Sequence, residues 1–158
     1  MDWGGWAVFG LLATAALTAV LILAQLGGFT RMDLPMMLGT LVVDDPDRAR
    51  VVGFVIHLGI GQLFALGYGL VFALVDRACW VLGAALGILH ALVALTVLVP
   101  LLPGIHPRMA STRAGPATGP GLEPPGLLGL SYGRQTVVVA VVAHLAYGLV
   151  LGLLLDPR

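Results

Sequence analysis

The chain has no lysine and no asparagine, one cysteine (Cys79), one glutamate (Glu123) and two serines (Ser111 and Ser131). Charged residues make up 10% of its 158 positions, where a soluble domain carries roughly a quarter. So little charge cannot cover a water-facing surface, and a soluble globule is excluded. The apolar content excludes a disordered tail, and a net charge of zero excludes an electrostatic nucleic-acid binder. One cysteine forms no internal disulfide, and Cys79 reads as a small apolar residue at a helix start. Gly-x-Ser-x-Gly and a phosphate-cradling glycine loop are both missing, which removes the usual hydrolase and nucleotide templates. Eight basic residues, all arginine, point to a GC-rich bacterial source.

What is present is hydrocarbon and glycine: 59% apolar residues and 22 glycines. A helix crosses a bilayer with about 20 apolar residues. Uncharged runs of 28, 25, 30 and 21 residues lie between Asp2 and Arg31, Arg50 and Asp76, Arg77 and Arg108, and Arg134 and Asp156. None alternates polar and apolar positions as the strands of a membrane barrel do. The runs predict an all-α integral membrane protein, a single domain over 1–158, with transmembrane helices at 4–27, 51–75, 79–102 and 135–155. The first run lacks a basic leader and is too long for a signal-peptide core, so it reads as a retained helix. Pro100 and Pro103 are expected to end the third helix.

Asp76 and Arg77 make a tight turn, whereas the other two connections are long. With four spans, both long connections lie at one end, together with Arg31, Arg48, Arg50, Arg108, Arg113 and Arg134. The positive-inside rule puts that end in the cytoplasm and both termini outside, in a bacterial inner membrane. Trp3, Trp6 and Trp80 fall at the opposite end, as an aromatic belt would.

The chain also matches itself. At an offset of 77, Gly10, Gly27, Arg31 and Met32 fall on Gly87, Gly104, Arg108 and Met109. Past a Pro/Gly-rich insertion at 110–122, Asp33, Pro35, Leu38 and Gly39 fall on Glu123, Pro125, Leu128 and Gly129. After a short deletion, His57-Leu58 and Gly61 fall on His144-Leu145 and Gly148. These matches predict a tandem duplication of a two-helix unit, 4–75 and 79–155, about a pseudo-twofold axis along the membrane normal. The segments 33–43 and 123–133 are too apolar for free loops and are expected to be ordered at the interface.

The candidate site follows from the ionisable residues within the spans, His57, His90 and His144. His57 and His144 lie on small-residue faces built from Gly53 and Gly61 and from Gly148 and Gly152, and His90 shares its helix with Gly83 and Gly87. Small residues four apart mark close helix packing, so these histidines should face the bundle interior. Above them would sit Arg31, Asp33, Arg108 and Glu123, with His106 nearby. Three functions fit. The first is a non-catalytic structural or accessory component, in partnership with the bilayer and with a membrane protein or a second copy. The second is a transition-metal or haem binder using His57, His144 and His90 with Asp33 and Glu123, although no tight metal-ligand spacing is present. The third is a small-solute or ion carrier with its site on the axis. For Asp33 and Glu123, a helix-capping acid and a loop ion pair are the favoured roles.

Overall fold

The computed structural model describes residues 3–109 and 121–155. The described residues are helical, apart from connections and one isolated bridge between Met109 and Leu122. In order they form α1 (Trp3–Leu26), the short α2 (Leu34–Gly39), α3 (Pro46–Leu74) and α4 (Trp80–Val93). α4 runs through a π turn (Ala94–Leu98) into α5 (Val99–Ile105), and a 3-10 stretch (Leu127–Tyr132) precedes α6 (Thr136–Leu154). Four helical stretches are long and apolar enough to cross a membrane: α1, α3, the continuous Trp80–Ile105 and α6, with 24, 29, 26 and 19 residues. By length and composition this is a multi-pass membrane protein. Most of the Pro/Gly-rich insertion at 110–122 lies outside the described residues, as do Asp2, Ser111, Arg113 and Arg158.

Two helix ends differ from expectation for identifiable reasons. α3 begins at Pro46 rather than 51. The Asp45 carboxylate accepts the Arg48 backbone N–H at 2.9 Å, and Pro46 sits where no intrahelical N–H is needed. This cap extends the helix through charged residues that bound the apolar run. The third span does not stop at its prolines. It continues past Pro100 and Pro103 to Ile105, because the wider π turn comes just before Pro100 and α5 restarts with that proline in its first turn.

The long helices are drawn together by missing side chains. A Cβ on Gly83 would collide with the Gly148 carbonyl, and one on Gly148 with the Gly83 carbonyl. Gly87 meets the His144 carbonyl and Gly152 the Cys79 carbonyl in the same way, so the α4 and α6 backbones touch over two turns. α1 packs on α3 with Gly61 against Thr14 and Gly10 against Gln62. Gly53 faces the Pro35 carbonyl of the short α2 rather than another long helix. α6 also packs along α1, and Tyr147, 1% exposed, donates its hydroxyl to the Gly61 carbonyl of α3 at 2.6 Å. α3 and α4, although consecutive, meet through side chains: Phe64 and Tyr68 lie on His90.

At the long-connection end the two halves hold each other reciprocally. Arg31 follows α1 and reaches the second connection, donating to the Ser131 carbonyl and pairing with Glu123 at 3.2 Å. Arg108 follows α5 and reaches the first connection, pairing with the Asp44 carboxylate and donating to its carbonyl at 3.2 Å.

Gly83→Ala or Gly148→Ala is expected to lower stability by about 1–3 kcal/mol through overpacking against backbone. Gly59 has nothing near its would-be Cβ. Gly59→Ala is therefore expected to be neutral or to raise stability by up to roughly 1 kcal/mol. Thermal unfolding of the three variants in detergent checks this, and equal effects would contradict the backbone contact.

Candidate functional site

α3, α4 and α6 bring His57, His90 and His144 to one place inside the bundle. His144 is 9% exposed, and its Nδ1 lies 2.7 Å from the Ala140 carbonyl one turn earlier in α6. A carbonyl only accepts, so Nδ1 carries the hydrogen. His57 Nδ1 lies 2.9 Å from the Thr18 hydroxyl of α1. Thr18 donates its own proton to the Thr14 carbonyl at 2.7 Å, so its oxygen accepts here and His57 Nδ1 carries the hydrogen too. In a neutral imidazole the other nitrogen is then a bare acceptor. Both Nε2 atoms are in that state, and among the described residues no protein group donates to either. His90 stacks on Phe64 with ring centroids 3.9 Å apart, meets His144 edge-on at 4.5 Å, and has its Nδ1 3.5 Å from the Tyr68 hydroxyl.

The three histidines border a cavity of about 430 Å³ between α3 and the α4–α5 helix. Its walls are hydrocarbon, chiefly Leu38, Ile60, Leu95, Leu98, Val99 and Leu102. The π turn contributes Ala94, Leu95 and Leu98 to one wall, so the irregular helix geometry shapes the site. Leu101 and Ile105 also line it and are 48% and 70% exposed, so the mouth opens past them on the flank of the bundle.

Asp33 and Glu123 are occupied outside this space. Asp33 caps α2 by accepting the Met36 N–H at 2.9 Å and pairs with Arg50 at 2.9 Å. Glu123 pairs with Arg31, and its carbonyl accepts the Tyr132 hydroxyl. Burial, and secondarily the Glu123 carboxylate, push the Tyr132 phenol up to about 12, so it remains a neutral donor. His106, 1% exposed, donates from Nε2 to the Met37 carbonyl at 2.9 Å and accepts the Arg108 N–H at Nδ1 at 3.1 Å. The polar set Arg31, Arg108 and His106 therefore ties the connections together. Among the described residues no three His, Cys, Asp or Glu side chains assemble as a metal would require.

Sequence reasoning passed over Thr18, Phe64, Tyr68 and Tyr147. Thr14 and Thr18 are polar residues one turn apart in an apolar run, Phe64 and Tyr68 follow His57 by 7 and 11 residues on one helix face, and Tyr147 follows His144 by 3. Those spacings carry the signal. No protein-family model matches this chain, and no curated protein or solved structure matches it significantly.

The hydrogen-bond pattern predicts ¹⁵N spectra in which the neutral His57 and His144 rings are protonated at Nδ1 and bare at Nε2. Thr18→Val is expected to shift His57 toward the Nε2–H form and to leave His144 unchanged. Nε2–H at both rings in the unmodified protein would contradict the geometry.

Proposed function

We propose that this chain is a non-catalytic multi-pass membrane protein whose working part is the cavity between α3 and α4–α5, where it holds one neutral, lipid-soluble molecule. The observation that carries this is the pairing of hydrocarbon walls with three lining imidazoles, two of which keep a nitrogen without a donor. Binding cavities are typically of this kind, largely apolar with a few converging polar groups. A carrier of ions or strongly polar solutes is disfavoured, since the walls offer no replacement for lost hydration. A metal centre is disfavoured because, among the described residues, the imidazoles have neither a third protein ligand arranged with them as a metal would require nor a carboxylate to balance the charge.

A tandem duplication gives the cavity an origin. The reciprocal reach of Arg31 and Arg108, equivalent positions in the two half-chains, supports two hairpins related by a twofold axis along the membrane normal. Under that symmetry, the packing of α1 on α6 has its counterpart in α4 against α3. The cavity takes the place of that second contact. The location we propose is a bacterial inner membrane, with the long connections in the cytoplasm and both termini outside. The six arginines at that end support it.

Native mass spectrometry of the full chain extracted from membranes should show one bound lipid-soluble molecule. Ala94→Trp, which fills the cavity from the π turn, should remove it without unfolding the protein. An unliganded spectrum from the unmodified protein, together with no effect of Ala94→Trp, would refute the proposal. For sidedness, Cys79 is partly exposed at the short-turn end. An impermeant maleimide should label it in intact cells with the outer barrier opened, whereas Ser131→Cys in a Cys79→Ala background should label only after the inner membrane is permeabilised. The reverse pattern would invert the orientation.

A further inference from the structure

Resting on the cavity described above, we infer that it selects molecules with a hydroxyl head over those whose head is a carbonyl or an ether. The floor decides this. Hydrogen bonds at the far side of each ring leave His57 and His144 presenting lone pairs only. Thr18 is held in its accepting role by the Thr14 carbonyl, and the Ala140 carbonyl has no alternative role. A head group that meets these nitrogens must bring a proton. An alcohol, a phenol or a hydroquinone does so; a ketone, an ester, a quinone or an ether does not, and at His57 and His144 would set oxygen lone pairs against nitrogen lone pairs, leaving His90, whose Nδ1 lies beside the Tyr68 hydroxyl, as the one lining histidine able to offer it a proton.

Charge narrows the class. Among the described residues no arginine, aspartate or glutamate lines the cavity. A carboxylate or an ammonium would be stripped of water without a counter-charge, which is far costlier than burying a neutral group. The body must be apolar, to match the leucine, isoleucine and valine walls. The mouth at Leu101 and Ile105 lets a chain longer than the cavity leave sideways along the bundle. The ligand class is therefore a neutral hydroxyl on a long hydrocarbon. Two sources share that chemistry, isoprenoid or fatty alcohols and membrane hydroquinones. One hydroxyl satisfies one of the two nitrogens.

The test uses the full chain in detergent, with binding followed by thermal shift and native mass spectrometry. Geranylgeraniol is compared with its methyl ether and with geranylgeranial, and a prenylated naphthohydroquinone, kept reduced, with its naphthoquinone. In each series the hydroxyl form is expected to bind at least about tenfold more tightly. The tighter hydroxyl ligand identifies the source. The His57→Leu/His144→Leu double variant should bind all members of a series alike. Should that variant fail to fold, Thr18→Val, which frees the His57 tautomer, should narrow the gap severalfold. Equal binding of alcohol and ether by the unmodified protein would overturn the inference and leave the cavity as a binding site intact. Failure of every probe to bind would overturn both. A gap that survives in the folded double variant would overturn the assignment to the histidines. Stoichiometric zinc uptake that the double variant loses would show that the lone pairs serve a metal instead.

Discussion

The contact between the α4 and α6 backbones at Gly83 and Gly148 sets the remaining geometry. With no side chain on either side, the two helices approach until carbonyl meets Cα, and a methyl group at either position would separate them. Drawn to α6, α4 stands away from α3, to which it is joined by only a short turn. Aromatic side chains bridge the gap near His90, and above them the space stays open. The cavity is thus a consequence of uneven helix packing: two helices too close for side chains on one flank, and two too far apart for backbone contact on the other.

The same economy of polar groups runs through the interior. Few side chains in the spans can form hydrogen bonds, and most are already engaged. Thr14 donates to Gly10, Thr18 to Thr14, and Tyr147 to Gly61, each through a backbone carbonyl. Gln62 gives its amide hydrogen to Ala7, and its oxygen lies buried against Gly10 without a hydrogen-bond partner. Against this background the outer nitrogens of His57 and His144 are exceptional. They are polar, they belong to rings that line the cavity, and the hydrogen bonds that hold those rings at Nδ1 leave them without a donor.

Much of this was legible in the sequence. Uncharged runs locate four helices because charge is excluded from hydrocarbon, and the run lengths match the helices closely. His57 and His144, singled out in the sequence as ionisable residues within apolar runs, both line the cavity. The start of α3 at Pro46 was missed because a hydropathy window stops at Arg50, whereas the helix is begun by the Asp45 cap. The continuation past Pro100 was missed because a proline normally signals an end, and a π turn that absorbs it leaves no mark in composition. Asp33 and Glu123 are drawn away from the histidines by arginines four or more turns distant in sequence, a choice made only by the folded connections. The cavity itself was invisible for a simple reason. Apolar residues that line a void and apolar residues that fill a core have the same hydropathy.

The mouth beside Leu101 and Ile105 has a consequence for concentration. In a bilayer, an opening on the flank of the bundle faces acyl chains rather than water. A molecule entering there is never transferred through the aqueous phase, and its supply is its mole fraction among the lipids. Occupancy would then follow the make-up of the surrounding membrane, and a modest intrinsic affinity would be enough to register a component present at a few per cent. Through such a side door the protein would respond to a change in lipid composition with no change in any dissolved solute.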